Sequence, residues 1–244
     1  MNQIFIRMLE GIDMILEACS VEKWYLRGKG DSNRFFAVKS TDLKMESGKV
    51  TVLTGRSGSG KTTLMNMMAG LLTPDGGKIL LDGKDLYALD DVSLSQLRNR
   101  NFGMVPQSAD VLPCLTVMEN ILLPQGIYRN QTTDSDLQAE EFGLELMNRM
   151  GVGHLADALA KELSGGERRR VCIARAMAGR QKFIFADEPT SDLDDENTRI
   201  VLAMLRQAAD SGAAVMIVTH DTEALEYADG AYRMDGGLLY ATFP

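Results

Sequence analysis

The stretch Gly55-Arg56-Ser57-Gly58-Ser59-Gly60-Lys61-Thr62 fits the pattern G-x-x-x-x-G-K-[ST], and it constrains this chain more than any other. Just before it, Val50-Thr51-Val52-Leu53 is β-rich and reads as a buried strand. Just after it, Thr63-Leu64-Met65-Asn66-Met67-Met68-Ala69 reads as a helix. Strand, glycine loop and helix in that order let the backbone wrap a polyphosphate, with several N–H groups and a helix N-terminus aimed at the anion. Lys61 is placed to reach the β and γ phosphates, and the Thr62 hydroxyl to ligate Mg²⁺. A chance Gly/Ser-rich turn would not fill every fixed position with both flanks in place. Taken alone, the loop says only that a nucleoside triphosphate binds.

Composition narrows the partners. The chain has 244 residues, enough for one large domain or a core with a subdomain. Its net charge of −8 argues against nucleic acid, whose phosphates are met by a basic stripe. The one dense basic run, Arg168-Arg169-Arg170, fans around a helix at about 100° per residue, so these side chains read as solvated or ion-paired. Cys19, Cys114 and Cys172 are odd in number and far apart, which fits a reducing cytoplasm and no disulfide framework or metal site. No apolar run approaches the roughly 20 residues that span a bilayer. Residues 1–13 carry Glu10 and Asp13 and make a poor signal peptide, so they read as an extension ahead of Met14.

Taken in order, Ile15 to Tyr25 and Phe35 to Met45 read as two strands around a loop at 27–33. Tyr25 or Trp24 could offer an aromatic face to a purine. Lys78 to Leu81 is a short strand before a hairpin turn at Asp82-Gly83-Lys84, and Ser93 to Arg100 a short helix capped by Ser93. Phe102 to Val105 is a strand that ends at Pro106-Gln107, where a glutamine can reach Mg²⁺ or its water. Ser108 to Met150 reads as mostly helical, broken at Pro113, at Pro124 and at 130–133. His154 has no chemical partner in sequence and reads as structural.

Three later stretches carry chemistry. Ser164 is a good N-cap for a helix over Gly165 to Met177, and paired glycines in a first turn cost stability. Bare N–H groups and a positive dipole end there make a second anion site. Phe183-Ile184-Phe185-Ala186 reads as a parallel strand buried on both faces, ending in Asp187 and Glu188. At a strand C-terminus Asp187 is suited to hold Mg²⁺ and Glu188 to orient or deprotonate water. Ser191-Asp192-Leu193-Asp194 leads into a helix over Glu196 to Ala209, with Asp194 as a possible N-cap. Ala213 to Val218 is a further strand that ends at His220, placed to donate to a γ-phosphate. Gly230 to Thr242 reads as a hairpin around Asp235-Gly236-Gly237.

P-loop, glutamine after a strand, Ser-Gly-Gly helix start, strand-Asp-Glu and strand-His stand in one order, and from Met14 onward the chain resembles the nucleotide-binding subunit of ATP-binding cassette (ABC) transporters. The resemblance implies an α/β fold: a P-loop NTPase (RecA-like) core, an N-terminal antiparallel β subdomain and an inserted helical subdomain at about 108–176, within one ATPase domain over 14–244. It makes Gly55 to Thr62, with Thr63, the Walker A nucleotide site, Gln107 the Q-loop and Leu163 to Glu167 the signature. Phe183 to Glu188 becomes Walker B with its catalytic glutamate, Ser191 to Asp194 the D-loop and His220 the switch histidine. Glu188, His220, Lys61 and Gln107 are then catalytic, and Thr62, Gln107 and Asp187 metal-binding. Ser164, Gly165, Gly166, Glu167 and Asp194 would touch nucleotide, and Tyr25 or Trp24 the adenine. Glu167 stands where glutamine is commoner.

Phrases such as Leu115-Thr116-Val117-Met118-Glu119-Asn120 and Ala186-Asp187-Glu188-Pro189-Thr190 look like the branch of macrolide-export, lipoprotein-release and antimicrobial-peptide-resistance ATPases. The resemblance implies ATP and Mg²⁺, a head-to-tail homodimer with ATP at its interface, and a transmembrane permease partner on the cytoplasmic face of the membrane. A signalling or mechanotransmission subunit that drives no cargo would carry the same motifs.

Overall fold

Two sheets organise the chain in a computed structural model that describes residues 14–26, 34–127 and 136–243. The first is antiparallel. Strands β1 (Ile15–Leu26), β2 (Arg34–Glu46), β4 (Gly76–Leu81) and β5 (Lys84–Asp85) lie in the order β2-β1-β4-β5. Asp82 and Gly83 turn β4 into β5 with φ of 48° and 76°, the paired positive values that a tight hairpin requires.

The second sheet holds β3 (Val50–Thr54), β6 (Phe102–Val105), β7 (Phe183–Asp187), β8 (Ala214–Val218), β9 (Gly230–Asp235) and β10 (Leu238–Phe243). Its order is β10-β9-β3-β8-β7-β6, and only β10 runs antiparallel to its neighbour. Every residue of β7 and β8 is buried, as the unbroken apolar runs require. Alternation along each strand then assigns side chains to two cores. Phe183 and Phe185 point with Leu53 and Met216 to the side of the antiparallel sheet and of α1 (Lys61–Met68). Ile184 and Ala186 point with Val52 and Ile217 to the other side, against helices. Those include α3 (Val117–Ile127), α4 (Asp136–Arg149), α5 (Gly165–Ala178) and α6 (Asp195–Asp210), and α2 (Asp91–Asn101) precedes β6. Phe102 meets Phe183 and Phe185 edge-on at 5.6 and 5.5 Å. Truncating one such ring to alanine costs about 3–5 kcal/mol.

The structure corrects three local expectations. The cap of α2 is Asp90 and not Ser93: the Asp90 carboxylate accepts from the Ser93 N–H at 2.8 Å and from its hydroxyl at 3.0 Å. Asp90 starts the helix one turn earlier, and Ser93 becomes the residue whose N–H is capped. Pro124 does not break a helix; it lies inside α3. Proline removes one backbone donor, and the helix needs only one more turn after it. Residues 108–116 are not helical, and α3 begins at Val117, capped by Thr116: the Thr116 hydroxyl accepts from the Glu119 N–H and the Glu119 carboxylate from the Thr116 N–H. The expected extension at 1–13, loop at 27–33 and break at 130–133 lie outside the described residues.

Candidate active site

Four parallel neighbours, β3, β8, β7 and β6, end on one edge of the sheet. Gly55, His220, the Asp187–Glu188 pair and Gln107 all follow those ends, so residues up to 165 positions apart in sequence converge there. They line one cleft of about 620 Å³ with all of Gly55 to Thr63. Tyr25, Phe35 and Ala37 close it from the antiparallel sheet.

The phosphate loop is held by close packing. A β-carbon at Gly60, where φ is 109°, would sit 2.0 Å from the Ala37 carbonyl oxygen; one at Gly55 would sit 2.3 Å from that of Met234. Only glycine fits either position, and each contact fastens the loop to a different sheet. Lys61 is 7% exposed. Its ammonium donates to the Gly55 and Arg56 carbonyls at 2.8 and 3.2 Å and has no carboxylate partner among the described residues. The Ser59 hydroxyl is buried beside it without a hydrogen bond. A cation and a hydroxyl left in this state are chemically suited to polyphosphate oxygens.

Opposite, the Thr62 hydroxyl donates to Asp187 Oδ2 at 2.8 Å across the top of β8. Burial pushes the Asp187 carboxyl above the usual range, and the Glu188 charge adds to this; the Thr62 hydroxyl and the Lys61 and Arg169 charges pull it back. A buried carboxylate beside a hydroxyl is a pair of hard oxygen donors whose ionised form a divalent cation would favour. That suits Mg²⁺, which takes one or two protein oxygens and completes its shell with phosphate and water. Thr62 and Asp187 therefore fit that ion, and Gln107 lines the same space.

Glu188 holds a left-handed backbone with φ of 47°, rare for a residue other than glycine. Its N–H donates to the Val218 carbonyl at 2.7 Å, which turns the chain sharply off β7 and returns the carboxylate to the cleft. Glu188 Oε2 accepts from the Thr219 hydroxyl at 3.0 Å and lies 2.9 Å from His220 Nδ1. An ionised carboxylate only accepts, so Nδ1 carries the proton. The imidazole is otherwise open, with 76% of its side chain exposed.

The structure separates other residues of the motif set from this cleft. Trp24 sits outside it, with the Arg34 guanidinium 4.2 Å from its ring, whereas Tyr25 lines it at 44% exposure. Ser164, Gly165, Gly166 and Glu167 form the start of α5 and do not line it. There the Glu167 carboxylate turns back onto the Ser164 N–H and hydroxyl at 2.8 and 2.7 Å; the hydroxyl hydrogen bond first, then the backbone one, hold the carboxyl below its usual range. A glutamate here makes a charge-assisted capping box. Asp194 is also outside, and its carboxylate caps α6 through the Asn197 N–H at 2.8 Å. His154 is exposed in a short 3₁₀ turn. Ser191, the first residue of the expected D-loop, lines the cleft, and so does Phe35, which was not singled out; pairing of Tyr25 with Phe35 across β1 and β2 needs the strand register, which the 27–33 loop hides. Arg169, expected to be solvated or ion-paired, is buried on neutral acceptors, because α5 turns that one arginine of the three inward.

Comparison with known proteins follows the same lines. The family model described as ABC transporter matches residues 38–191. The lipoprotein-releasing system ATP-binding protein LolD of Shewanella frigidimarina is 37% identical over 226 residues, covering 92% of each chain. The macrolide export ATP-binding/permease protein MacB of Rhodopirellula baltica is 38% identical over 203 residues, 83% of this chain and 29% of that longer protein. Among solved structures, a dimeric post-hydrolysis state of the ATP-binding cassette MJ0796, bound to ADP and Pi, superposes with a TM-score of 0.84 at 28% identity, over 94% of this chain and 99% of that one.

Proposed function

The chain belongs to the ABC transporter family as an ATP-binding, ATP-hydrolysing subunit, and from that premise we propose how its residues divide the work. The P-loop of one copy binds ATP, and the α5 start of a second copy closes over the γ-phosphate. The observation that carries this is the separation just described: one chain holds two anion-ready sites, and Ser164 to Gly166 lie outside the cleft that holds the P-loop. A head-to-tail pair would bring each helix start to the other copy's cleft, and the MJ0796 cassette is dimeric in a post-hydrolysis state with ADP and Pi bound.

Within the cleft, the Gly55–Thr63 backbone and Lys61 bind the phosphates, and Tyr25 stacks on the adenine. Thr62 and Asp187, with Gln107, would hold Mg²⁺, which would neutralise charge on the phosphate oxygens. Glu188 takes the proton of the attacking water, the water oxygen bonds to the γ-phosphorus, and ADP leaves as inorganic phosphate forms. His220 keeps Glu188 in place through Nδ1 and meets the γ-phosphate with the rest of its exposed ring. Loss of the bridging phosphate loosens the pair, a two-state motion that a membrane partner reads.

No helix among the described residues is long and apolar enough to cross a membrane. We assign the chain to the cytoplasmic face, docked on a permease through the segment from Gln107 to Pro124, where Leu112 is exposed and Leu115 and Met118 are half-buried. By likeness to LolD and MacB the cargo is a lipoprotein, peptide, lipid or drug-like molecule released or exported from the membrane. Phosphate release from the purified chain with Mg²⁺ and ATP tests the reading. Turnover should rise faster than linearly with protein concentration and vanish in Glu188→Gln. Turnover strictly proportional to protein, or kept in that variant, contradicts it.

A further inference from the structure

Arg169 is a buried charge that does not itself line the phosphate cleft. It is 4% exposed, and no carboxylate pairs with it among the described residues. A buried guanidinium is costly unless its donors are satisfied. Here its fork donates to the Pro106 carbonyl at 2.8 Å, to the Gln107 carbonyl at 2.6 Å and to the Ser191 hydroxyl at 2.8 Å. The Ser191 hydroxyl donates onward to the Glu188 carbonyl at 2.9 Å. Its acceptors thus belong to the two loops that leave β6 and β7, one carrying Gln107 and the other Glu188. Arg169 itself stands near the start of α5, on the helix that Ser164 caps.

We propose that Arg169 is a positioning residue for hydrolysis: its planar fork ties the Gln107 and Glu188 loops to the α5 start, so that the water-orienting carboxylate and the anion-binding helix end are set by one side chain. The inference rests on the hydrolytic reading of the cleft but concerns a residue outside it. Lysine offers a point charge on a flexible stem and does not present a rigid fork to three acceptors.

The test compares Arg169→Lys, Arg169→Gln, Ser191→Ala and the double variant Arg169→Gln/Ser191→Ala with the unchanged chain. Each arginine variant is expected to lose about 10–100-fold in kcat, because misplacing a reacting group by about 1 Å costs on that order. KM for ATP and the Kd of bound nucleotide should stay within about twofold of the unchanged chain, and the double variant should lose less than the product of the single losses. Backbone amide exchange without nucleotide should quicken together at 106–110 and 188–192 in Arg169→Gln, or in Arg169→Lys should the glutamine variant not fold. An unchanged kcat, fully multiplicative losses, or exchange altered in neither loop would each overturn the proposal. An unchanged chain without ATPase activity would sink the hydrolytic reading, and the exchange measurement would still decide whether Arg169 ties the two loops.

Discussion

The P-loop and the start of α5 are both helix N-termini preceded by small residues, yet they are built in opposite ways. The P-loop is jammed: Gly55 and Gly60 each lie where a single added carbon would strike a carbonyl, and Lys61 is buried under the loop. The α5 start is open: Ser164 and Gly165 are exposed, and a β-carbon at Gly165 would meet nothing within 4 Å. A site finished within one chain is fixed by contacts on every side. A site that another copy must cover keeps its first glycine facing solvent, and its cap is internal.

Substitutions that affect one of these regions and not the other sharpen that contrast, and the largest effect belongs to the open one. Gly165→Asp places a carboxylate where phosphate would dock. It has room to fit, and an acid in a first turn favours the helix. Turnover should fall by about 10²–10³, the scale of losing an anion-stabilising site, while ATP affinity measured by calorimetry stays unchanged. Reduced affinity would mean that the α5 start serves its own chain's cleft. Lys61→Ala is the counterpart. Losing a charge-assisted hydrogen bond of about 1.5–3 kcal/mol should weaken ATP binding by roughly 10–150-fold in the isolated chain. Binding as tight as before would remove the P-loop from the account.

Tyr25→Ala should weaken ATP binding by about 5–150-fold, the worth of stacking one base at roughly 1–3 kcal/mol. Trp24→Ala should leave it within twofold, since that ring faces Arg34 and not the cleft. Equal effects of the two would erase the distinction between the strand faces. The smallest expected effect is on stability. Burial raises the Asp187 carboxyl in the folded chain, so folding favours its protonated form, and the nucleotide-free protein loses stability as pH rises through that folded value. Asp187→Asn should therefore raise the nucleotide-free Tm at neutral pH by about 2–4 °C, with the gain fading below the ordinary carboxylate range. Turnover should be lost in the same variant. A lowered Tm at neutral pH would show that Asp187 is stabilising as an anion without any ligand.

Much of this was legible in the sequence because the parallel strands are short apolar runs with chemistry at their ends. Phe183 to Glu188 and Ala213 to Val218 announce burial on both faces, and the rule that ligands gather at strand C-termini does the rest. What stayed hidden depends on three-dimensional competition. Asp90 and Ser93 both suit a cap, and only the chain's entry angle decides between them. Pro124 reads as a stop, yet α3 runs through it. Arg169 is one of three consecutive arginines, and nothing in their order tells which one α5 turns towards the Gln107 and Glu188 loops. Phe35 lines the cleft through a cross-strand register that the loop before it conceals.

The most direct test of the central claim uses size-exclusion chromatography with light scattering on Glu188→Gln and on Glu188→Gln/Gly165→Asp, each with and without ATP. The account predicts that the single variant becomes a dimer only with ATP. The double variant should stay monomeric while still holding one ATP per chain. Dimerisation of both alike, or a single variant that remains monomeric with ATP bound, would contradict a site completed by the second copy's α5 start.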